Sequence, residues 1–276
     1  MRDFKNKVAA ITGAGSGMGR TLALELARRG CHLALSDVNE KGLAETVELA
    51  RASGVKITMQ KLDVASREAM YGWADQVARD HGKVNLIFNN AGVGLGATVE
   101  GMEYKDFEWL MNINFWGVVY GTKAFLPHLK ASGEGHVINT SSIFGLVGIP
   151  TQSAYNAAKF AVKGFTEALR MELEIEGAPV SATVVHPGGI KTNIAKAARM
   201  SGSVKNLGMD PATSTAKFEK NFITTAEKAA LIILGAVECN KRRVLVGPDA
   251  YFVDWMVRLL PSLYQRLVMW GARKTM

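Results

Sequence analysis

Short apolar runs alternate with stretches of helical periodicity along most of the 276 residues. The runs predict strands over Val8–Thr12, His32–Ser36, Lys56–Lys61, Val84–Phe88, His136–Thr140, Ser181–His186 and Arg243–Val246. Each is short, and Val8–Ile11 is apolar throughout, as a buried strand is. Between them, apolar residues at helical spacing predict helices near Gly17–Arg29, Glu40–Ser53, Arg67–Asp80, Tyr104–Ala131, Ala154–Glu174 and Thr225–Glu238. Regular βα alternation argues for an α/β fold with a doubly wound parallel sheet, three layers deep. One domain over residues 1–276 is the expectation, because a chain of this length can close around one sheet. Two stretches depart from the alternation. Residues 191–221 are long and mixed in polarity, as a lid would be. Residues 248–276 form a tail with apolar residues at helical spacing, broken near Pro261.

In a doubly wound sheet, ligands bind beyond the carboxyl ends of the strands. Gly13, Asp37, Asp63, Asn90, Ser142 and Pro187 each follow a predicted strand, so they converge on one crevice. The first turn, TGAGSGMG, carries Gly13, Gly17 and Gly19 between strand and helix. Glycines there let the backbone approach a pyrophosphate, whose charge is favoured at a helix N-terminus. The common G-x-G-x-x-G spacing is not met; the spacing is T-G-x-x-x-G-x-G, from Thr12.

A second signal lies in SAYNAAKFA. Tyr155 and Lys159 are four residues apart, one turn apart on a helical face. A free phenol titrates at about 10 and is a poor base at neutrality. A fixed ammonium beside it favours the phenolate, making a proton donor and acceptor poised for work near pH 7.

Taken together, these motifs resemble the short-chain dehydrogenase/reductase family over about residues 6–248. TGAGSGMG is similar to its cofactor turn (Gly13, Ser16, Gly17, Met18, Gly19). Asp63 and Val64 in KLDV match its adenine-contacting segment. Asn89, Asn90, Ala91 and Gly92 match its NNAG motif. Asn114 in NINFWG, Ser142 in NTSS, and Tyr155 and Lys159 in YNAAK match its catalytic set. Pro187, Gly188, Ile190 and Thr192 in HPGGIKT match the segment that contacts the nicotinamide. The resemblance implies that Tyr155 exchanges a proton with the substrate oxygen while a hydride moves to or from nicotinamide. Lys159 then lowers the Tyr155 pKa and binds the nicotinamide ribose. Ser142 holds the substrate oxygen, and Asn114 binds a water linking Lys159 to solvent.

Asp37 ends the second strand, where a carboxylate accepts from both hydroxyls of an adenine ribose and repels a 2′-phosphate. Neither Ser16 nor Val38 is basic, and Arg20 is expected to pack or cap on the first helix. The expected cofactor is therefore NAD. By family position, Val93–Leu95, Phe144–Leu146, Gln152, Gly189 and Asn193–Met200 line the substrate pocket. Few of them are charged beyond Lys196 and Arg199, so a hydrophobic secondary alcohol or ketone is the expected substrate. The alternative is a non-catalytic NAD-binding redox sensor on the same fold, against which the complete Asn-Ser-Tyr-Lys set argues. A third class, a nucleotide-linked methyltransferase on a related sheet, leaves Tyr155 and Lys159 unexplained.

Charge and composition add little more. The net charge of +8 is spread thinly, with no motif for nucleic acid. Two cysteines and five histidines show no metal-ligand spacing. No apolar run spans a bilayer, and MRDFKNK lacks the apolar core of a secretory signal, so cytoplasmic residence is the expectation. A homodimer or homotetramer is expected from the family. For the tail, three fates stay open: packing on its own domain, packing on another subunit, or lying in a membrane surface. The first is the leading one.

Overall fold

A computed structural model describes residues 1, 3–210 and 222–275, with side chains as far as 273. The expected lid over 191–221 is therefore described only to residue 210.

Seven strands form one parallel sheet: β1 (Val8–Thr12), β2 (His32–Asp37), β3 (Ile57–Lys61), β4 (Leu86–Asn89), β6 (Gly135–Thr140), β7 (Val180–Pro187) and β11 (Arg243–Val246). Their order is β11-β7-β6-β4-β1-β2-β3. Helices α1 (Gly17–Arg28), α2 (Glu40–Ala50) and α7 (Ala226–Glu238) cover one face, and α3 (Arg67–His81), α5 (Gly117–Ala131) and α6 (Ser153–Glu176) cover the other. Strand pleating explains the division. Ala9 and Ile11 of β1 point to Leu22, Leu26 and Ile233, whereas Val8 and Ala10 point to Trp73, Phe125 and Leu173. Both sets are buried, which is why β1 reads as a continuous apolar run rather than an alternation.

The sheet reverses winding between β1 and β4, the topological switch point that opens a crevice in such folds. The ends of both strands are tied there. Thr12 Oγ1 accepts from the amides of Asn90 (3.0 Å) and Ala91 (3.1 Å), and Asn90 Nδ2 donates to the Thr12 carbonyl at 3.0 Å.

The seven strands fall where the apolar runs predict them, within one or two residues. One predicted helix is wrong in detail. The stretch 104–131 is not one regular helix but α4 (Tyr104–Met111), a π-helical turn (Asn112–Trp116) and α5. Two paired ribbons are also absent from the sequence reading. β5 (Leu95–Gly96) pairs with β9 (Arg199–Met200), and β8 (Ile190–Lys191) pairs with β10 (Thr224–Thr225). They fasten residues 190–200 and 224–225 above the carboxyl ends of the strands. The tail forms α8 (Pro248–Leu259) and α9 (Tyr264–Thr275), interrupted around Pro261 as expected. Among the described residues, no helix is long and apolar enough to cross a membrane.

Candidate active site

The glycine turn places the start of α1 at the switch point. Gly13 and Gly17 adopt φ of 67° and 51°, a left-handed conformation that a Cβ disfavours. Gly19 is constrained differently: a Cβ there would collide with the carbonyl oxygen of Gly13. Ser16 is the N-cap residue of α1, but its side chain makes no capping bond, and the first turn holds no carboxylate. The first-turn amides and the positive end of the helix dipole are thus left to an external anion. Asn90 Oδ1, buried beside the same turn, has no hydrogen-bond partner among the described residues.

Asp37 closes the cradle. Its carboxylate accepts from the Gly15 and Asn39 amides, both at 2.8 Å. Arg20 does not face that carboxylate. Its guanidinium binds the carbonyls of Gly15 (2.6 Å) and Gly42 (3.0 Å) and pairs with Glu45, fixing α1 to α2 as expected. Asp63 is exposed beyond β3, accepting from its own Ala65 amide at 2.9 Å. Val64 is buried against Gly117. These two flank the crevice on the β3 side and do not line its cavity.

That cavity, of about 240 Å³, begins at Met18, Asn90 and Gly92 and runs past Ser142, Tyr155 and Lys159 to Pro187, Gly188, Ile190 and Thr192. Helix α6 presents Tyr155 and Lys159 from consecutive turns, as their spacing requires. The Lys159 ammonium is buried, donates to the Thr140 carbonyl at 2.9 Å and lies 5.5 Å from the centre of the Tyr155 ring. Burial pulls Lys159 down to about 8. The phenol is pushed up to about 12 by burial, while a hydrogen bond from the Ser142 hydroxyl pulls the other way. The expected lowering of Tyr155 by Lys159 is thus not the net result in this geometry. The ammonium donates to Thr140 rather than to the phenol oxygen, and desolvation of the phenolate outweighs the Ser142 bond.

Asn114 is held by the chain beside the site. It sits in the π-helical turn, fully buried, with its amide closed on Val93: Oδ1 accepts from the Val93 amide and Nδ2 donates to the Val93 carbonyl, both at 2.8 Å. Its side chain positions the strand-end loop, and these two bonds leave one lone pair on Oδ1 and one N–H on Nδ2 for further partners. It does lie beside Lys159: a Cβ on Gly92 would come within 3.3 Å of Asn114 Oδ1 and 3.7 Å of Lys159 Nζ.

Of the expected substrate-pocket residues, Gly94, Phe144, Gln152, Gly189, Ile194, Ala195, Ala198 and Met200 line the cavity. Lys196 and Arg199 do not. Lys196 is exposed, and Arg199 pairs with Asp106 at 2.8 Å while its guanidinium lies 3.6 Å over the Trp109 ring. Lys159 is then the one charged side chain among the lining residues described.

Three supports escape the sequence reading. Asn156, beside Tyr155, donates to the carbonyls of Phe144 and Val147 (both 2.8 Å) and accepts from the Ile149 amide (3.0 Å), shaping the far wall. His186 Nδ1 bonds the Ser142 carbonyl at 2.9 Å, and burial holds its pKa near 4, so it donates as a neutral imidazole. Asp249, at the start of α8, accepts from the Gly189 amide at 2.6 Å. A Cβ on Gly188 would collide with both Asp249 oxygens. Thr151 lines the cavity at φ 66°, a strained value for a β-branched residue. Among the described residues, no group of three or more His, Cys, Asp or Glu side chains could hold a metal ion.

Known proteins resemble this chain in sequence and fold. The family model for short chain dehydrogenases matches residues 7–201. A Mycobacterium tuberculosis protein named as the oxidoreductase SadH is 50% identical over 275 residues, covering 99% of this chain and 98% of that one. A crystal structure of a Burkholderia phymatum short-chain dehydrogenase/reductase in complex with NAD superposes with a TM-score of 0.88 at 31% identity, covering 96% and 97% of the two chains. Levodione reductase superposes at 0.78 with 27% identity, over 90% and 99%.

Proposed function

The chain is a member of the short-chain dehydrogenase/reductase family, and from that premise we propose that it is an NAD-dependent oxidoreductase interconverting a hydrophobic secondary alcohol and its ketone. The observation that carries this reading is the Ser142–Tyr155–Lys159 cluster set in the wall of an otherwise uncharged cavity that opens beside the uncapped N-terminus of α1. Bound NAD supplies the hydride acceptor, or as NADH the donor. Its pyrophosphate fits the α1 amides past Gly13, Ser16, Gly17, Met18 and Gly19. Its adenine ribose fits Asp37, with Asp63 and Val64 beyond it. Its nicotinamide end fits Asn90, Ala91, Gly92, Pro187, Gly188, Ile190 and Thr192. A 2′-phosphate at Asp37 would meet a carboxylate already holding two amides, with Arg20 spent elsewhere.

The catalytic work of the chain is proton transfer and positioning. In the reducing direction Tyr155, neutral at pH 7, donates its proton to the carbonyl oxygen. Ser142 donates a hydrogen bond to the same oxygen as charge develops there. The phenolate left behind is stabilised by the Lys159 ammonium, brought to bear from the adjacent turn. In the oxidising direction the phenolate accepts the alcohol proton. Glycine, alanine, isoleucine, methionine and phenylalanine make up most of the far wall, and Thr151 and Gln152 are among the few polar side chains there, fewer partners than a polyol needs. We place this activity in a single domain over residues 1–276 and expect the working form to be a homodimer or homotetramer.

A panel of secondary alcohols, screened by NADH absorbance, tests the reading. Turnover of aliphatic, aryl or alicyclic alcohols with NAD preferred over NADP is expected. Preference for polyols, or a higher kcat/KM with NADP, overturns the substrate or cofactor assignment respectively.

A further inference from the structure

The tail buries only part of its apolar stripe on its own domain: Tyr264 is buried and Met256, Leu260 and Val268 are half-buried, while the rest faces water. Across α8 and α9, Ala250 and Tyr264 are the buried anchors. Tyr251, Phe252, Trp255 and Leu259 share one side of α8 and face water, Phe252 and Trp255 each at 69% exposure. Leu263, in the turn between the helices, and Leu267 on α9 are each about half exposed. Isolated exposed apolar residues are ordinary; a contiguous set rich in aromatics marks a contact surface.

Charge selects the occupant. The acids of the tail turn inward: Asp249 accepts from Gly189, and Asp254 pairs with Arg243 and with Arg258. After Asp254 the sequence has no acidic residue, but it has Arg258, Arg266, Arg273 and Lys274. Arg266 and Arg273 are exposed and have no ion-pair partner among the described residues. A second copy seated face to face would oppose these cations with the same cations, at a cost in repulsion. An anionic lipid surface takes both features together: aromatic and aliphatic side chains enter the headgroup boundary while arginines meet phosphate. Neither helix spans a bilayer, so the contact would be peripheral.

We infer that α8 and α9 form a docking face for anionic phospholipid bilayers. The face adjoins the cavity wall: the Tyr264 hydroxyl accepts from the Gly148 amide at 3.4 Å, next to Ile149 and Pro150, which line the cavity. The inference does not depend on which alcohol is oxidised.

Sedimentation of the full chain with phosphatidylcholine vesicles, with or without about 30% phosphatidylglycerol, tests it. Partition into the anionic vesicles is expected to be at least about tenfold stronger, and to weaken at roughly 0.5 M salt. Trp255→Glu and the double variant Arg266→Glu/Arg273→Glu should each lower partition about tenfold, with an unchanged thermal melt showing that the fold is kept. Equal partition into both vesicle types, or none into either, overturns the proposal. Concentration-dependent self-association abolished by Trp255→Glu, without vesicle binding, assigns the face to a second copy and also overturns it.

Discussion

The two ends of the cleft are built in different ways. At the β1–α1 end the binding surface is main chain: glycines at positive φ, an uncapped helix terminus, and carboxylate and amide side chains tied to the backbone at 2.8–3.0 Å. At the far end the wall is side chain on short fastenings: two-residue ribbons, a threonine at φ 66°, and loops held by Asn156, Asp249 and Tyr264 from other elements. A site made of backbone tolerates almost no change in shape. A site made of side chains on short ribbons can be retuned residue by residue. The contrast suits a conserved ligand at one end and a variable one at the other.

Substitutions at each end should break or sharpen that contrast. The largest effect is expected for Gly19→Ala, whose methyl would fall on the Gly13 carbonyl. Overpacking of about 3 kcal/mol corresponds to roughly a hundredfold loss of NADH affinity, read by fluorescence titration. Retained affinity would show that the turn is looser than its geometry indicates. Next is the pH dependence of ketone reduction. Lys159 is charged below about 8, so activity should be full at neutral pH and fall as pH rises through 8, approaching a decade per unit. A flat profile to pH 9.5 would remove the ammonium from the mechanism.

Smaller shifts are expected from side chains that position the ligand. Asp37→Ala should move the NAD-to-NADP ratio of kcat/KM about tenfold toward NADP. An unchanged ratio would place discrimination elsewhere. Asp249→Ala removes the acceptor of the Gly189 amide and should raise KM about tenfold or less while changing kcat little. Asp249→Asn, which keeps an acceptor oxygen, should restore most of it. A loss confined to thermal stability would make Asp249 merely structural.

Much of the backbone-built end is legible in the sequence, because its constraints are local. A strand buried on both faces reads as an apolar run, and a glycine required by a close approach reads as a glycine. Tyr155 and Lys159 are legible because helical spacing alone brings them together. The rest depends on contacts that periodicity does not encode. The π-helical turn at Asn112–Trp116 leaves the apolar pattern of the flanking helices intact, so 104–131 reads as one helix and the closure of Asn114 on Val93 stays hidden. Asp249 meets Gly189 from 60 residues away. Lys196 and Arg199 fall within the expected pocket stretch but outside the cavity: Arg199 because β9 alternates it with the cavity-lining Met200, Lys196 because it stands exposed on the turn before β9. The tail has helical spacing whether its stripe faces the core or water. Its outward orientation becomes visible only when Ala250 and Tyr264 are seen as the anchors.

The account rests most heavily on the phenolic hydroxyl of Tyr155 as the group that passes the proton. The direct measurement is single-turnover hydride transfer in Tyr155→Phe, with NADH affinity determined on the same preparation. Loss of the chemical step by about three orders of magnitude with near-normal NADH binding is the expected result. Hydride transfer at the unaltered rate would contradict it.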